Sequence, residues 1–239
     1  MNAVIDIATP LLECIRELDD RVCPMTCEIP SSVLKLASRI TEAAAQQPDT
    51  LAESLHHSLH DLAGRINRVS LAVTGLAWLG AGVQSVQQEI ISIVRSARRE
   101  ISLCAYSITS GAGGLIDEII EASNQGVTVT LVINDLQSQP LDTQTRIRML
   151  TPALRDRIRI FDFTSGNTQS QLHAKVVVAD RSTALVGSAN LSFHGLYSNH
   201  ELALVVRGPL AEEVAARMDL LAKAARPVKA ANLPGSPVP

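Results

Sequence analysis

Apolar positions in the first third of the chain recur at helical spacing. Thr9-Pro10 is a helix-start pair, and Leu11, Leu12, Ile15 and Leu18 follow it. Cys23 to Pro30 breaks the pattern. Val33, Leu36, Ala37, Ile40 and Ala44 then share one face of a helix predicted over about Ser31–Gln47. Thr50 and Glu53 stand at capping-box spacing, and Leu51, Leu55, Leu59, Leu62 and Ile66 predict a third helix. Near Val69 the period changes. Short apolar runs predict strands at Val69–Thr74, Ile101–Tyr106, Val127–Ile133, Arg157–Phe163, Ala174–Ala179, Thr183–Val186 and Leu202–Val206. Helices are predicted between and after them at Val86–Arg98, Leu115–Asn124 and Leu210–Ala224. Such alternation specifies an α/β sheet covered by helices on both faces.

The pattern divides the chain into a small all-helical N-terminal domain (1–68), an α/β domain (69–225) and a loose tail (226–239) rich in Pro, Ala and Gly. Gln137–Thr143 reads as a polar loop. Val69 to Gln88, the longest uncharged stretch, has too short an apolar part for a membrane span and reads as a buried strand plus loop. No internal repeat is evident.

Composition narrows the chemistry. Hydrophobic residues are 46% of the 239, which is ample for a core, but aromatics are only 3%, so that core rests on Leu, Ile, Val and Ala. A net charge of -3 argues against a surface coated in phosphate-binding charge, although a local basic groove remains compatible with it. Four cysteines in a chain of this length form no disulfide framework, and Met1 to Asp20 lacks a secretory pattern; a reducing, cytoplasmic setting is expected.

The segment LHAKVVVADRSTALVGSANLSFHGLYSNHELALVV carries the candidate chemistry. His173 and Lys175 are two apart, so on a strand both leave the same face. Asp180 follows at the turn into the next strand. That strand ends in Gly187-Ser188-Ala189-Asn190, a small-residue loop that can approach a ligand closely. Glu201 opens the strand after it. An imidazole can attack phosphorus and split one hard displacement into two. Lys175 and the Asn190 amide can stabilise charge on the non-bridging oxygens. Glu201 can bind the far ring nitrogen and fix the tautomer, and Ser188 can bond near the ring or the phosphate.

At these residues the chain resembles the phospholipase D superfamily, whose signature is H-x-K-x4-D followed after six residues by G-S/G-x-N. His173, Lys175, Asp180, Gly187, Ser188 and Asn190 fit every position, and Glu201 falls where the nuclease branch places its histidine-pairing carboxylate. The resemblance runs from about Val69 to Ala224. It implies a phosphodiesterase that works through a phosphohistidine, without a metal or other cofactor. The family needs two such motifs per active site, and single-motif members resemble bacterial nucleases in which two chains supply the pair. A homodimer sharing one site, acting on DNA or RNA, is therefore expected. A helical domain ahead of a single motif also resembles the phospholipase-D-like component of bacterial anti-phage systems. This raises defence-system partners for residues 1–68. The alternatives are a phospholipase or phosphatidyl transferase, for which no basic amphipathic helix is seen, and a non-catalytic phosphate-binding assembly subunit.

Two weaker signals remain. Cys23, Cys27, His56 and His60 have zinc-ligand types, and the two histidines share a helix face; free thiols and solvent-facing histidines fit the same spacing. Arg95, Arg98, Arg99, Arg146, Arg148, Arg155, Arg157 and Arg159 are candidates for a phosphate-backbone track, with Arg157 and Arg159 on one strand face as substrate-binding residues. Few aromatics argue for weak sequence preference. His194 and His200 read as loop residues.

Overall fold

The structure is a computed structural model and describes residues 10, 31–46, 51, 53–58, 66–78, 82–150, 157–164 and 170–228. The chain divides into two compact units, Met1–Ile66 and Asn67–Pro239. In the first unit, α1 (Ser31–Gln46) carries Leu36, which packs with Leu51 and the partly buried Ile40, Ala43 and Leu55. The helix predicted after Thr9-Pro10 lies outside the described residues. So do Leu59, Leu62 and the zinc candidates Cys23, Cys27 and His60.

The second unit is built on one mixed sheet. Its strands are β1 (Arg68–Thr74), β2 (Gln84–Ser85), β3 (Glu100–Ala105), β4 (Thr128–Asn134), β5 (Ile158–Phe163), β6 (Lys175–Ala179), β7 (Thr183–Gly187), β8 (Glu201–Arg207) and β9 (Arg226–Pro227). They are ordered β2-β1-β8-β7-β6-β3-β4-β5-β9. β3, β4 and β5 run parallel, whereas β3, β6, β7, β8 and β1 alternate in direction. The helices are α2 (Val86–Ser96), α3 (Gly113–Asn124), α4 (Leu141–Leu150) and α5 (Pro209–Ala224).

Alternate residues of each strand face opposite layers. Leu103, Leu131, Val177, Leu185, Ala203 and Val205 pack with Ile90, Val94, Ile116 and Ile119 of α2 and α3. Cys104, Val132, Val176, Val178 and Ala184 pack with Ala211, Ala215 and Met218 of α5. Ser85 caps α2 by accepting from the Gln88 N–H at 3.1 Å.

Three readings change. The segment read as a polar loop at Gln137–Thr143 holds a short 3-10 turn at Leu136–Ser138 and the start of α4. Thr143, Ile147 and Leu150 are buried at i, i+4 and i+7, and a threonine in the stripe hid the helical period. β1 is not wholly buried: Val69 is 56% and Leu71 50% exposed, next to exposed Leu202 and Leu204 of β8 on the face turned away from α2. The expected tail begins inside the sheet. β9 pairs antiparallel with β5, and the Val228 N–H donates to the Ile160 carbonyl at 2.8 Å.

Asp180 belongs to this scaffold. It takes positive φ in the β6–β7 turn, and its carboxylate accepts the backbone N–H groups of Arg98, Arg99 and Glu100 at 2.8, 2.7 and 3.0 Å. It thereby ties the α2–β3 connection to the end of β6. Burial raises its pKa, but these backbone bonds and the nearby Arg99 outweigh burial and leave it below the usual carboxylate value. A depressed folded pKa contributes stability above the unfolded value, which is lost as pH falls through the folded one. Asp180→Ala is expected to cost about 2 kcal/mol by removing a charged acceptor shared by three backbone donors. Urea denaturation at neutral pH checks this, and the difference from wild type should shrink towards acid pH.

Candidate active site

The half-site forms where β6 begins, β7 ends and β8 begins. The pairing of Lys175 with Gly187, and of Gly187 with Ala203, brings residues far apart in sequence to one sheet end. Lys175 opens β6 and is only 6% exposed, whereas His173, two residues earlier, is exposed. The Lys175 Nζ lies 2.9 Å from His173 Nδ1 and 3.3 Å from Nε2, and donates to the His173 carbonyl at 2.7 Å. Burial pushes the Lys175 pKa down, and the charge of Glu201 partly restores it.

Glu201 bonds to Ser188 and Asn199 rather than to the His173 ring. Its carboxylate accepts from the Ser188 hydroxyl and, at 3.1 Å, from the Asn199 amide. His173 instead has the Tyr106 ring beside it, with centroids 5.3 Å apart and tilted by 52°. The same ring lies 5.9 Å from the Lys175 Nζ. The Asn190 Oδ1 is buried and has no hydrogen-bond partner among the described residues. That oxygen can only accept, so the group of this amide that can serve a phosphate oxygen is the Nδ2 donor. The loop carrying it is packed tightly: a Cβ on Gly195 would lie 2.3 Å from the Asn190 carbonyl oxygen.

Three further residues position the site and were not singled out in the sequence. The Asn134 Oδ1 accepts the Leu172 N–H at 2.7 Å, fixing the approach to His173. The Gln139 amide donates to the carbonyls of Asn134 and Tyr106. Tyr106 is the third. They lie at or just beyond the C-terminal ends of β3 and β4, a placement that strand direction decides and local sequence does not reveal.

His173, Lys175, Ser188, Asn190 and Glu201 thus meet at one end of the sheet. Asp180, Arg157 and Arg159 do not join them. Asp180 sits at the far end of β6, about 17 Å along the strand. β5 runs parallel to β4, so Arg157 and Arg159 precede or open it at the far end too. Arg159 is offset from Lys175 by roughly 10 Å along the strands and roughly 14 Å across them. The Arg157 Nη1 donates to the Gly126 carbonyl at 2.7 Å, and the Arg159 Nη2 to the Thr130 hydroxyl at 3.1 Å. Arg95 pairs with Glu118, and the Arg99 guanidinium donates to the Asp180 carbonyl. These four arginines of the expected track make local contacts. Among the described residues no group of three or more His, Cys, Asp or Glu side chains could hold a metal ion. Nor is any described helix long and apolar enough to cross a membrane.

Comparison with known proteins fits this geometry. Residues 90–222 match the family described as "Cardiolipin synthase, PLD-like domain", over half of the chain, and the protein belongs to that phospholipase-D-like family. Two curated relatives illustrate its breadth. The DISARM protein DrmC of Bacillus paralicheniformis is 25% identical over 119 residues, which are 50% of this chain and 48% of that protein. Cardiolipin synthase A of Proteus mirabilis is 29% identical over 122 residues, 51% of this chain and 24% of the synthase. The match therefore spans about half of the first relative and a quarter of the second. Among solved structures, the phospholipase D family member Nuc of Salmonella typhimurium superposes with a TM-score of 0.58 at 21% identity, covering 69% of this chain and 99% of Nuc. NucT of Helicobacter pylori gives 0.55 at 16% identity, covering 68% and 100%. These two likenesses establish a shared fold.

The opposing effects on Lys175 generate a prediction. Glu201→Gln removes the carboxylate charge that raises the Lys175 pKa and leaves the burial that lowers it. The Lys175 ammonium should then titrate at lower pH than in the wild type, read by NMR of the labelled side chain. An unchanged or raised midpoint would contradict the electrostatic coupling.

Proposed function

We propose that this chain is one half of a phosphodiesterase site and acts as a nuclease through a phosphohistidine at His173. The observation that carries the reading is an exposed imidazole 2.9 Å from a buried ammonium, at the sheet end that also carries the Asn190 amide. A phosphodiester has a matching demand: an electrophilic phosphorus for the ring nitrogen and two non-bridging oxygens for Lys175 and Asn190. In the first displacement the P–N bond forms as the bond to the leaving oxygen breaks, and that oxygen receives a proton. In the second, water loses a proton, attacks phosphorus and releases the imidazole. Glu201 and Ser188 hold each other at the rim and steady the charge near Lys175.

The proton donor and acceptor is assigned to His173 of a second copy. The chain has one such motif, and a two-fold axis brings the same residue from both subunits together. A shared site has a distinctive dose response. When wild-type and His173→Ala chains are co-expressed in equal amounts and mix freely, activity per chain should fall to about a quarter of wild type rather than about a half. A linear dependence on the wild-type fraction, or a fully active monomer by light scattering, would rule the shared site out.

The reaction as drawn contains its own acid, base and cation, so activity should survive excess chelator. Strict dependence on an added divalent ion would contradict this. Zinc at Cys23, Cys27, His56 and His60 would instead show as loss of folding in chelator. The likeness to DrmC and the helical α1 unit support a place in a bacterial defence system, with partners reached through the N-terminal unit. A second reading, phosphatidyl transfer, is favoured by the match to cardiolipin synthase A and by the exposed Leu76 and Trp78. Release of labelled headgroup from phosphatidylglycerol vesicles, with no cleavage of any oligonucleotide, would establish it over the nuclease.

A further inference from the structure

The chain has six aromatic residues, and four of them lie in the loops at the catalytic end of the sheet. Phe161 and Phe163 lie on β5 and pack against the α5 layer. Tyr106 faces His173, and Trp78 meets His200 edge-on with centroids 5.6 Å apart. Phe193 and Tyr197 stack on each other, with centroids 5.4 Å apart and an interplanar angle of 27°. They are 55% and 51% exposed. Two large rings exposed side by side offer a contiguous apolar surface, unlike singly exposed side chains.

The pair stands three and seven residues after Asn190, and its backbone is fixed to the site. Ser192 donates from its N–H to the Asn190 carbonyl at 2.8 Å, and Leu196 to Ser192 at 2.9 Å. Asn199 donates to the His194 carbonyl at 2.7 Å, closing the π-turn His194–Ser198. On the other side Thr109 donates to the Leu191 carbonyl at 2.9 Å. Gly111 approaches so closely that a Cβ there would lie 2.1 Å from the Phe193 nitrogen. The two rings therefore form a stacked aromatic shelf on a tightly packed loop, three and seven residues beyond the amide assigned to the phosphate.

We propose that Phe193 and Tyr197 are a base-stacking platform for the nucleotide flanking the scissile phosphate, and that they make single-stranded nucleic acid the preferred substrate. The proposal rests on the nuclease reading and adds its substrate class. Every base has a π-face, so stacking is tolerant of sequence, and a duplex hides those faces between neighbouring pairs. A lipid offers no flat partner. Inserting this shelf into a bilayer would also carry the polar His194, Ser198 and Asn199 with it. The low aromatic content does not weaken base recognition, because the few rings are concentrated where the phosphate is to be held.

The test is binding in a His173→Ala background, so that cleavage does not intervene. Fluorescence anisotropy is measured with a labelled single-stranded oligonucleotide, the same strand in a duplex, and a strand of equal length made of abasic sites. The intact strand should bind at least about tenfold more tightly than the other two, as expected for stacking lost on alanine substitution or base removal. Adding Phe193→Ala with Tyr197→Ala should remove that preference, whereas Phe193→Tyr with Tyr197→Phe should keep it. Both rings are half exposed, and an unchanged thermal midpoint will show that the alanine variant is folded. Equal affinity for intact and abasic strands would overturn the platform, even if oligonucleotides are cleaved. So would an alanine variant that weakens all three alike, or one that loses only binding to anionic phospholipid vesicles. If the wild-type protein cleaves no oligonucleotide, it is the nuclease reading that fails.

Discussion

The site depends on the antiparallel register of β6, β7 and β8. Because Lys175 pairs with Gly187 and Gly187 with Ala203, three chain segments deliver His173, Ser188, Asn190 and Glu201 to one sheet end. The register leaves little tolerance at its centre. A Cβ on Gly187 would lie 2.6 Å from that of Ala203 and 2.9 Å from the Leu202 carbonyl oxygen, so glycine lets β7 and β8 close at this point. A one-residue slip would turn Lys175 to the opposite face. Burial of that ammonium, compensated by the His173 carbonyl and the Glu201 charge, turns a point on a strand into a local electrostatic feature.

One short motif serves both ends of the sheet. Its His-x-Lys part opens β6 at the site, while its Asp180 closes β6 and holds the α2–β3 connection through three backbone donors. The five-residue strand between them makes the spacing a measure of sheet thickness along the strand, not of a catalytic triad. Cys104, beside Lys175, is sealed in the other layer, where burial pushes its thiol up to about 12, so it remains a neutral packing group.

Much of this was legible in the sequence because apolar period is set by burial. Ile90, Val94 and Ala97 face the core as their spacing predicts, and each expected strand from Val69 to Val206 is found within a residue or two. α4 was hidden because its inward stripe begins with Thr143 and has only Ile147 and Leu150 to mark it. That His173, Lys175, Ser188, Asn190 and Glu201 share one sheet end was legible, since each stands within three residues of a strand start or end. Their partners were not. Tyr106 lies 67 residues before His173, and the Ser188 and Asn199 contacts of Glu201 depend on side-chain direction. That Arg157 and Arg159 stand at the other end of the sheet was not legible, because strand spacing does not say which end of a strand lies near the site. That follows from the parallel β4–β5 pairing, which no local pattern encodes.

The central claim is that His173 becomes covalently bonded to phosphorus during turnover, and stereochemistry tests it without any need to trap an intermediate. An oligonucleotide with one chiral phosphorothioate linkage is cleaved in ¹⁸O-water and the product configuration is read by ³¹P NMR. Two successive in-line displacements, imidazole then water, predict net retention at phosphorus. Net inversion would mean that water attacks directly, and His173 would then not be a nucleophile.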